Sequence, residues 1–447
     1  MRPGARPKAR PGPAPGLAVR TTAVEILSAT LDRRQPFDNS FDAAHGDAAW
    51  RALPERDRRL VRAIVTTALR RHGETEAVLA RLIERPPRRA GRLFRILEVA
   101  AVQILHMDVP DHAAVSVAME QVGADRDAAH FKGLANAVLR RVARERQAIL
   151  AAIDMPRRAV PDWLWQRWVA AYGEADAGRI AAANLEEPSL DLTVRSDPAL
   201  WAEKVGGVVL PTGSVRLIQD GPVEALAGFA EGAWWVQDAA AALPPRLFGD
   251  IAGKRVADLC AAPGGKTVAL AAAGAEVVAV DISEPPLRRV SANLERLGLA
   301  AEIVETDLFS WRPAEPFDAI LLDAPCTATG TIRRHADIAW NKRPEDVTAL
   351  ADAQAQMIDR AVGWLKPGGM FVFSTCSIEP EEGEHQMARA IHRHGLEIVP
   401  VEAAEIGGPA ECVLPSGAVR TLPFHLAGAT PRLSGLDGFF MMRLRKR

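Results

Sequence analysis

The stretch Asp258-Leu-Cys-Ala-Ala-Pro-Gly-Gly-Lys-Thr267 continues an apolar run that starts at Val256, and it leads into an amphipathic segment near 265–273. A β-rich run that turns through glycines into a helical pattern reads as the first strand, turn and helix of an α/β sheet. Such sheets bind ligands beyond the carboxyl ends of their strands. Glycine at the turn lets backbone approach a ligand closely. Gly265-Lys266-Thr267 ends like a phosphate-binding P-loop, but that loop needs a glycine five positions before its Gly-Lys pair, and position 260 is Cys260. A purely structural turn is the other alternative at this point.

Toward the C-terminal side the pattern repeats. EVVAVDI (276–282), AEIVETD (301–307), DAILLD (318–323) and MFVFSTC (370–376) alternate with helical segments near 285–298 and 345–365. That alternation predicts βαβ units and a parallel sheet covered by helices. LEIVPV (396–401) and GFFMMRLRK (438–446) are expected to close its far edge. Asp281 ends the second run, where an acid can hydrogen-bond both ribose hydroxyls of a nucleoside. Asp307 ends the third and is placed to reach an adenine. With Asp258, these acids suit a nucleoside cofactor without a pyrophosphate, which S-adenosylmethionine is. No metal site is expected.

Two cysteines follow the next two strands, in Asp323-Ala-Pro-Cys326 and Ser374-Thr-Cys376. A lone buried cysteine is usually a small hydrophobe. Two at neighbouring strand ends, with an aspartate between, ask for chemistry. Carbon 5 of a pyrimidine is too weak a nucleophile to accept a methyl group. A thiolate adding to carbon 6 makes it enamine-like, and a carboxylic acid near ring nitrogen 3 stabilises the adduct. Spacing alone does not choose between Cys326 and Cys376 as the nucleophile.

Toward the N-terminal side, residues 151–245 mix a Trp-rich helix (Trp163, Trp165, Trp168) with short strand-like runs such as Leu190 to Val194, and read as a connecting subdomain. Residues 17–150 are helical throughout. Leu93, Ile96, Leu97, Ala100, Ala101 and Ile104 form one stripe, Leu60, Ile64 and Ala68 another, and Asp111 is expected to cap a helix. Five to seven helices are expected, with Arg56, Arg58, Arg59, Arg62, Arg70, Arg71, Arg88, Arg89, Arg140 and Arg141 on polar faces. Residues 1–16 are proline-rich and basic, a composition expected to stay disordered.

The whole chain of 447 residues is 48% hydrophobic and 25% charged, which excludes a disordered or collagen-like protein. Its formal net charge of −1 advertises no polyanion partner. The distribution says more: only eight of its 55 basic residues are lysine, and arginine's planar fork suits phosphate and bases. Arginine excess also follows from a GC-rich genome. Four cysteines without a CxxC pair argue against a disulfide scaffold or zinc knuckle, so free thiols in the cytoplasm are expected. Neither a secretion signal nor a membrane span is expected.

Taken together, Asp258 to Thr267, Asp323-Ala-Pro-Cys326, Arg333-Arg-His-Ala-Asp-Ile338 and Ser374-Thr-Cys-Ser-Ile-Glu-Pro-Glu-Glu382 resemble the RNA 5-methylcytosine methyltransferases. The bacterial small-subunit ribosomal RNA enzymes of the RsmB/Sun/Fmu type are the best match. Val109 to Val115 and Phe131 to Arg140 resemble their NusB-like RNA-binding domain, and Gly435-Leu-Asp-Gly-Phe-Phe440 their closing strand. The resemblance spans about 17 to 447. It implies an all-α NusB-like domain (17–150), a small connecting subdomain (151–245) and an α/β class I, Rossmann-like methyltransferase domain (246–447). It implies that Cys260, Ala261, Ala262, Pro263, Gly264, Gly265, Lys266, Asp281, Asp307 and Asp323 line the S-adenosylmethionine site. Cys376 is then the nucleophile, Cys326 helps release the product, and Asp323 hydrogen-bonds the ring. The implied partner is RNA, a 16S ribosomal RNA carrying an unpaired or flipped cytidine, with the enzyme a monomer. Thr327 and Ala328 stand where Ser-Gly is usual, Ala336 for proline and Gly383 for asparagine, all in loops that would grip RNA. The rival readings are a tRNA cytosine-5 methyltransferase and a NusB-like RNA-binding factor without catalysis.

Overall fold

The computed structural model describes residues 16–42, 44–219 and 221–447. The basic, proline-rich tail read at 1–16 therefore lies outside the described residues except for Gly16. The chain forms two compact units that divide between Pro161 and Asp162. The sequence-based boundary at 150 falls at the end of the last helix of the first unit, and the segment read as a connecting subdomain lies mostly in the second.

In the first unit the described residues form seven α-helices: α1 (Leu17–Arg33), α2 (Ala48–Arg51), α3 (Glu55–Arg70), α4 (His72–Leu82), α5 (Leu93–His106), α6 (Asp111–Ala124) and α7 (Lys132–Ala151). The apolar stripe of α5 is the centre of the bundle. Leu93, Ile96, Leu97, Ala100, Ala101 and Ile104 are all buried, as a stripe of that width must be if a helix of this length is to hold its place. Of the polar groups buried beside it, His72 pairs with Glu98 at 2.5 Å and Glu98 with Arg95 at 2.6 Å. Asp111 does not cap α6: it is the first helical residue, and Pro110 with φ −57° holds the cap position. The fixed φ of proline makes it a ready entry to a helix.

The second unit opens with α8 (Asp162–Asn184), which breaks at Gly173, where φ is 81°. Four short strands follow, β1 (Asp191–Val194), β2 (Gly207–Val209), β3 (Val215–Leu217) and β4 (Trp234–Val236), paired antiparallel in the order β2-β3-β1-β4. Arg216 on β3 and Asp191 on β1 form a buried two-pronged ion pair at 2.7 Å, and Arg216 also donates to the carbonyls of Leu433 and Gly435. The small sheet is thus tied to the Gly435–Phe440 segment.

The large sheet comprises β5 (Arg255–Leu259), β6 (Glu276–Asp281), β7 (Glu302–Glu305), β8 (Phe317–Asp323), β9 (Leu365–Thr375), β10 (Glu397–Ile398), β11 (Val419–Thr421) and β12 (Phe439–Arg445). Its order is β10-β12-β9-β8-β5-β6-β7, with β11 also on β12. Strands β5 to β9 are parallel, and β12 enters antiparallel between β9 and β10. Every interior residue of β8 from Ala319 to Leu322 is buried, because helices cover both faces of a parallel sheet. The strand order reverses between β5 and β8, and the crevice at that reversal is where an α/β sheet receives its ligand.

Candidate active site

The first half of the site is the turn after β5. Gly264 sits at φ 101° and caps the helix Gly265–Ala272; a Cβ there would lie 2.9 Å from the Val290 side chain, so only glycine fits. Cys260 holds φ 62°, a left-handed conformation that side chains rarely adopt and that clusters at ligand loops. Asp281, at the end of β6, accepts hydrogen bonds from the backbone N–H of Ala262 at 3.0 Å and of Ser283 at 3.1 Å. The carboxylate therefore fixes the turn of its neighbouring strand. Beneath the turn, buried Asp258 accepts from the Thr267 hydroxyl at 2.6 Å. Burial, with Asp323 and Asp281 nearby, pushes its carboxyl up to about 7. Burial likewise pushes the Cys260 thiol up.

Asp307 stands slightly apart. Its carboxylate accepts from Phe309 N–H at 3.0 Å and closes its own turn, while Thr306 N–H reaches the carbonyl of Asp281 at 2.9 Å. Next to Asp281, Ile282 is 69% exposed, the most exposed of the large hydrophobic side chains among the described residues. Carboxylates for hydroxyls and an ammonium group, a bare glycine turn and an apolar rim form a donor and contact set that fits S-adenosylmethionine. Ile282 escaped the sequence reading because an apolar residue ending a strand normally signals burial.

The second half lies one strand over, at the ends of β8 and β9. Their register pairs Asp323 with Ser374, so the segments running on to Cys326 and Cys376 leave the sheet side by side. The two sulfurs come within 3.5 Å. Asp323 accepts from the Lys266 ammonium at 2.6 Å and from the Ser374 hydroxyl at 2.7 Å, which joins the two halves. Burial works against the Lys266 charge, but Asp323 outweighs it and the pKa rises; Cys376 adds to the same field. The hydrogen bond with Cys376, then burial, holds the Cys326 thiol far above its usual range.

The loop after Cys376 is held from several sides. Its carbonyl accepts from Gly330 N–H at 3.0 Å, and Gly330 packs on Gly438 so closely that a Cβ would fall 1.9 Å from the Gly438 carbonyl oxygen. Arg420 donates to the Ser377 carbonyl at 2.6 Å and pairs with Glu384. From α8, Arg167 grips Glu379 at 2.5 Å and Glu381 at 2.6 Å, Trp168 donates to Glu379 at 3.1 Å, and the Tyr172 hydroxyl donates to the Ile378 carbonyl. None of α8 was singled out from sequence as supporting the site. The fourth cysteine, Cys412, is elsewhere: it is buried against His425 at 3.1 Å and takes no part.

The structure thus places Cys260 to Lys266, Asp281, Asp323, Cys326 and Cys376 at the carboxyl ends of neighbouring strands, linked through Asp323, with Asp307 at the end of the next strand beyond Asp281. Comparison with known proteins follows the same division. The family model for 16S rRNA methyltransferase RsmB/F matches residues 250–445, and that for the NusB family matches residues 17–144. Ribosomal RNA small subunit methyltransferase B of Klebsiella pneumoniae subsp. pneumoniae is 36% identical over 447 residues, covering 96% of this chain and 98% of that protein. The protein of the same name from Vibrio vulnificus is 35% identical, covering 84% and 91%. Among solved structures, PH0851 superposes with a TM-score of 0.71 at 20% identity, over 97% of this chain and 99% of that one. A methyltransferase homolog from Pyrococcus horikoshii gives 0.53 at 27% identity, over 63% and 94%.

Proposed function

We propose, from the premise that this chain belongs to the RsmB/F family of 16S rRNA methyltransferases, that it methylates carbon 5 of a cytidine in small-subunit ribosomal RNA. Membership makes it an RNA methyltransferase whose cofactor is S-adenosylmethionine. The atom methylated and the covalent route are our reading. The observation that carries it is the pair of thiols 3.5 Å apart beside Asp323, since transfer to an already nucleophilic oxygen or nitrogen has no use for a thiolate.

In this reading the Cys376 thiolate adds to carbon 6 of the ring while Asp323, carrying a proton as a carboxylic acid, donates to nitrogen 3, so that the adduct is stabilised and carbon 5 becomes enamine-like. S-adenosylmethionine, held by the 260–266 turn, Asp281, Asp307 and Asp323, supplies an electrophilic methyl group on its sulfonium. Carbon 5 would take that methyl as the sulfonium–methyl bond breaks and its electron pair stays on sulfur, which leaves as a thioether; carbon 5 then carries both a methyl and a proton. A base, Cys326 or a water, takes that proton; the pair left behind restores the ring double bond and expels Cys376 as thiolate, with Cys326 assisting release. A cytidine inside a stacked helix cannot enter such a crevice, so the target is unpaired or flipped out. The NusB-like unit adds phosphate contacts through exposed arginines such as Arg56, Arg88, Arg89 and Arg140. We place the enzyme in the cytoplasm, where its thiols stay reduced, and acting as a monomer. The test is bisulfite sequencing of total RNA from cells with and without the gene. A single 16S cytidine losing protection supports the reading, and a tRNA position losing it, or none, overturns it.

A further inference from the structure

Glu382 is fully buried, yet among the described residues its hydrogen-bond partners are all neutral. Burial pushes its pKa up. A carboxyl kept in that setting costs free energy, so its position asks for a reason. Its contacts supply one. Oε1 accepts from the backbone N–H of Thr327 at 2.9 Å and from the Gln354 amide at 3.0 Å, and Oε2 accepts from the Thr327 hydroxyl. The same Gln354 amide donates to the carbonyl of Pro325 at 2.9 Å. The residues on both sides of Cys326 are thus pinned by one carboxyl and one amide. On the other side, the Glu382 carbonyl accepts from the Thr375 hydroxyl at 3.0 Å, next to Cys376. Glu382 thus touches both thiol-bearing loops, through its carboxyl on the Cys326 side and its backbone carbonyl on the Cys376 side.

We propose that Glu382 is a positioning residue for the two-thiol chemistry, acting with Gln354: it clamps Pro325–Thr327 against the Cys376 strand and sets where the Cys326 thiol stands. This rests on the covalent reading above. Because Cys326 serves the release step, a loosened clamp should slow release while leaving substrate and cofactor binding alone.

The test compares E382A, E382Q and Q354A with C326A in the full chain, using a 16S RNA fragment and S-adenosylmethionine. E382A and Q354A are expected to lower kcat about 10- to 100-fold, as a small misplacement of a reacting group does. Equilibrium binding of RNA and of cofactor should stay within about twofold of the parent, and KM for RNA should fall with kcat, because the slowed step follows methyl transfer. Methylated RNA should also remain joined to protein as a slow band on denaturing gels, as with C326A. E382Q is expected to turn over nearly normally, because its amide oxygen can replace Oε1 and its NH2 can face hydroxyls able to accept. Loss of turnover in E382A and Q354A without a trapped band, while C326A traps, overturns the clamp alone. An E382Q as defective as E382A also overturns it, since charge would then matter rather than geometry. A C326A that traps nothing removes the covalent two-thiol reading and this inference with it. Should E382A not fold, Q354A, which removes one neutral amide, decides by the same criteria.

Discussion

The cofactor turn and the thiol pocket share Asp323, yet they are built in opposite ways. Around the turn, partners are mostly close in sequence: Thr267 with Asp258, Ser283 with Asp281 and Phe309 with Asp307, while Ala262 and Thr306 reach Asp281 over longer spans and Lys266 reaches Asp323 in the other half. Half of these bonds run from backbone N–H to a carboxylate. Around the thiols, partners are remote and are mainly side chains: Cys326 with Cys376, Thr327 with Glu382, and Arg167 and Tyr172 of α8 with the loop after Cys376. A locally built turn tolerates substitutions elsewhere. A pocket assembled from distant buried side chains is cooperative, so loss of a far partner is felt at the sulfurs.

The sharpest break in that comparison is at the thiols themselves. Cys376→Ala is expected to abolish methyl transfer while S-adenosylmethionine still binds, and Cys326→Ala to leave protein covalently joined to methylated RNA. Calorimetry and denaturing electrophoresis read the two effects. The opposite pattern, with Cys326→Ala inert and Cys376→Ala trapped, would reverse the assignment.

Next is Asp258, the buried acid beneath the turn. Its folded pKa of about 7 lies above the ordinary 3.8, so its stabilising contribution is complete below about pH 4 and disappears as the pH rises through 7. Asp258→Asn lacks this slope. Relative to that variant, the parent should lose on the order of 4 kcal/mol between pH 4 and 8 in urea unfolding. Parallel stability curves for the two proteins would refute the burial argument.

Asp281→Ala is expected to weaken cofactor binding by about 1.5–3 kcal/mol, the range for a hydrogen bond to a charged group, with kcat at saturating cofactor little changed. Unaltered affinity by calorimetry would take Asp281 out of the site. The smallest effect is expected from Tyr172→Phe, which leaves the Ile378 carbonyl without its donor and costs about 1–2 kcal/mol of stability. If the thiol pocket is the cooperative half, this variant lowers kcat but not cofactor affinity; the reverse split would erase the contrast drawn here.

The same contrast governs what could be read in advance. The strands from 256 to 376, the turn and Asp281 were legible because strand period, glycines and strand-end acids are local signals. The α5 stripe was legible for the same reason, with the α6 boundary off by one residue. Glu382 was quoted within a motif but given no role. It follows Glu381, which is 38% exposed in its side chain and pairs with Arg167, and nothing in two adjacent glutamates tells which one the fold buries. Gln354 did leave a trace: it is a polar residue on the buried stripe of Val347, Ala355 and Ile358 in the helix Pro344–Gly363. The small sheet was seen only in part, since β2, β3 and β4 are three residues each, too short for alternation to show.

The contact between Gly330 and Gly438 bears on how the protein is made. As a ribosome delivers the chain, β5 to β9 can pair in turn as they emerge, and the cofactor turn is complete with them. The turn after Cys326 has to wait, because Gly438 donates to the Gly330 carbonyl at 2.8 Å from a segment synthesised long afterwards. A nascent chain can thus house its methyl donor before it can set its two sulfurs. The two sulfurs of the proposed chemistry take their places only once β12 has slotted in between β9 and β10.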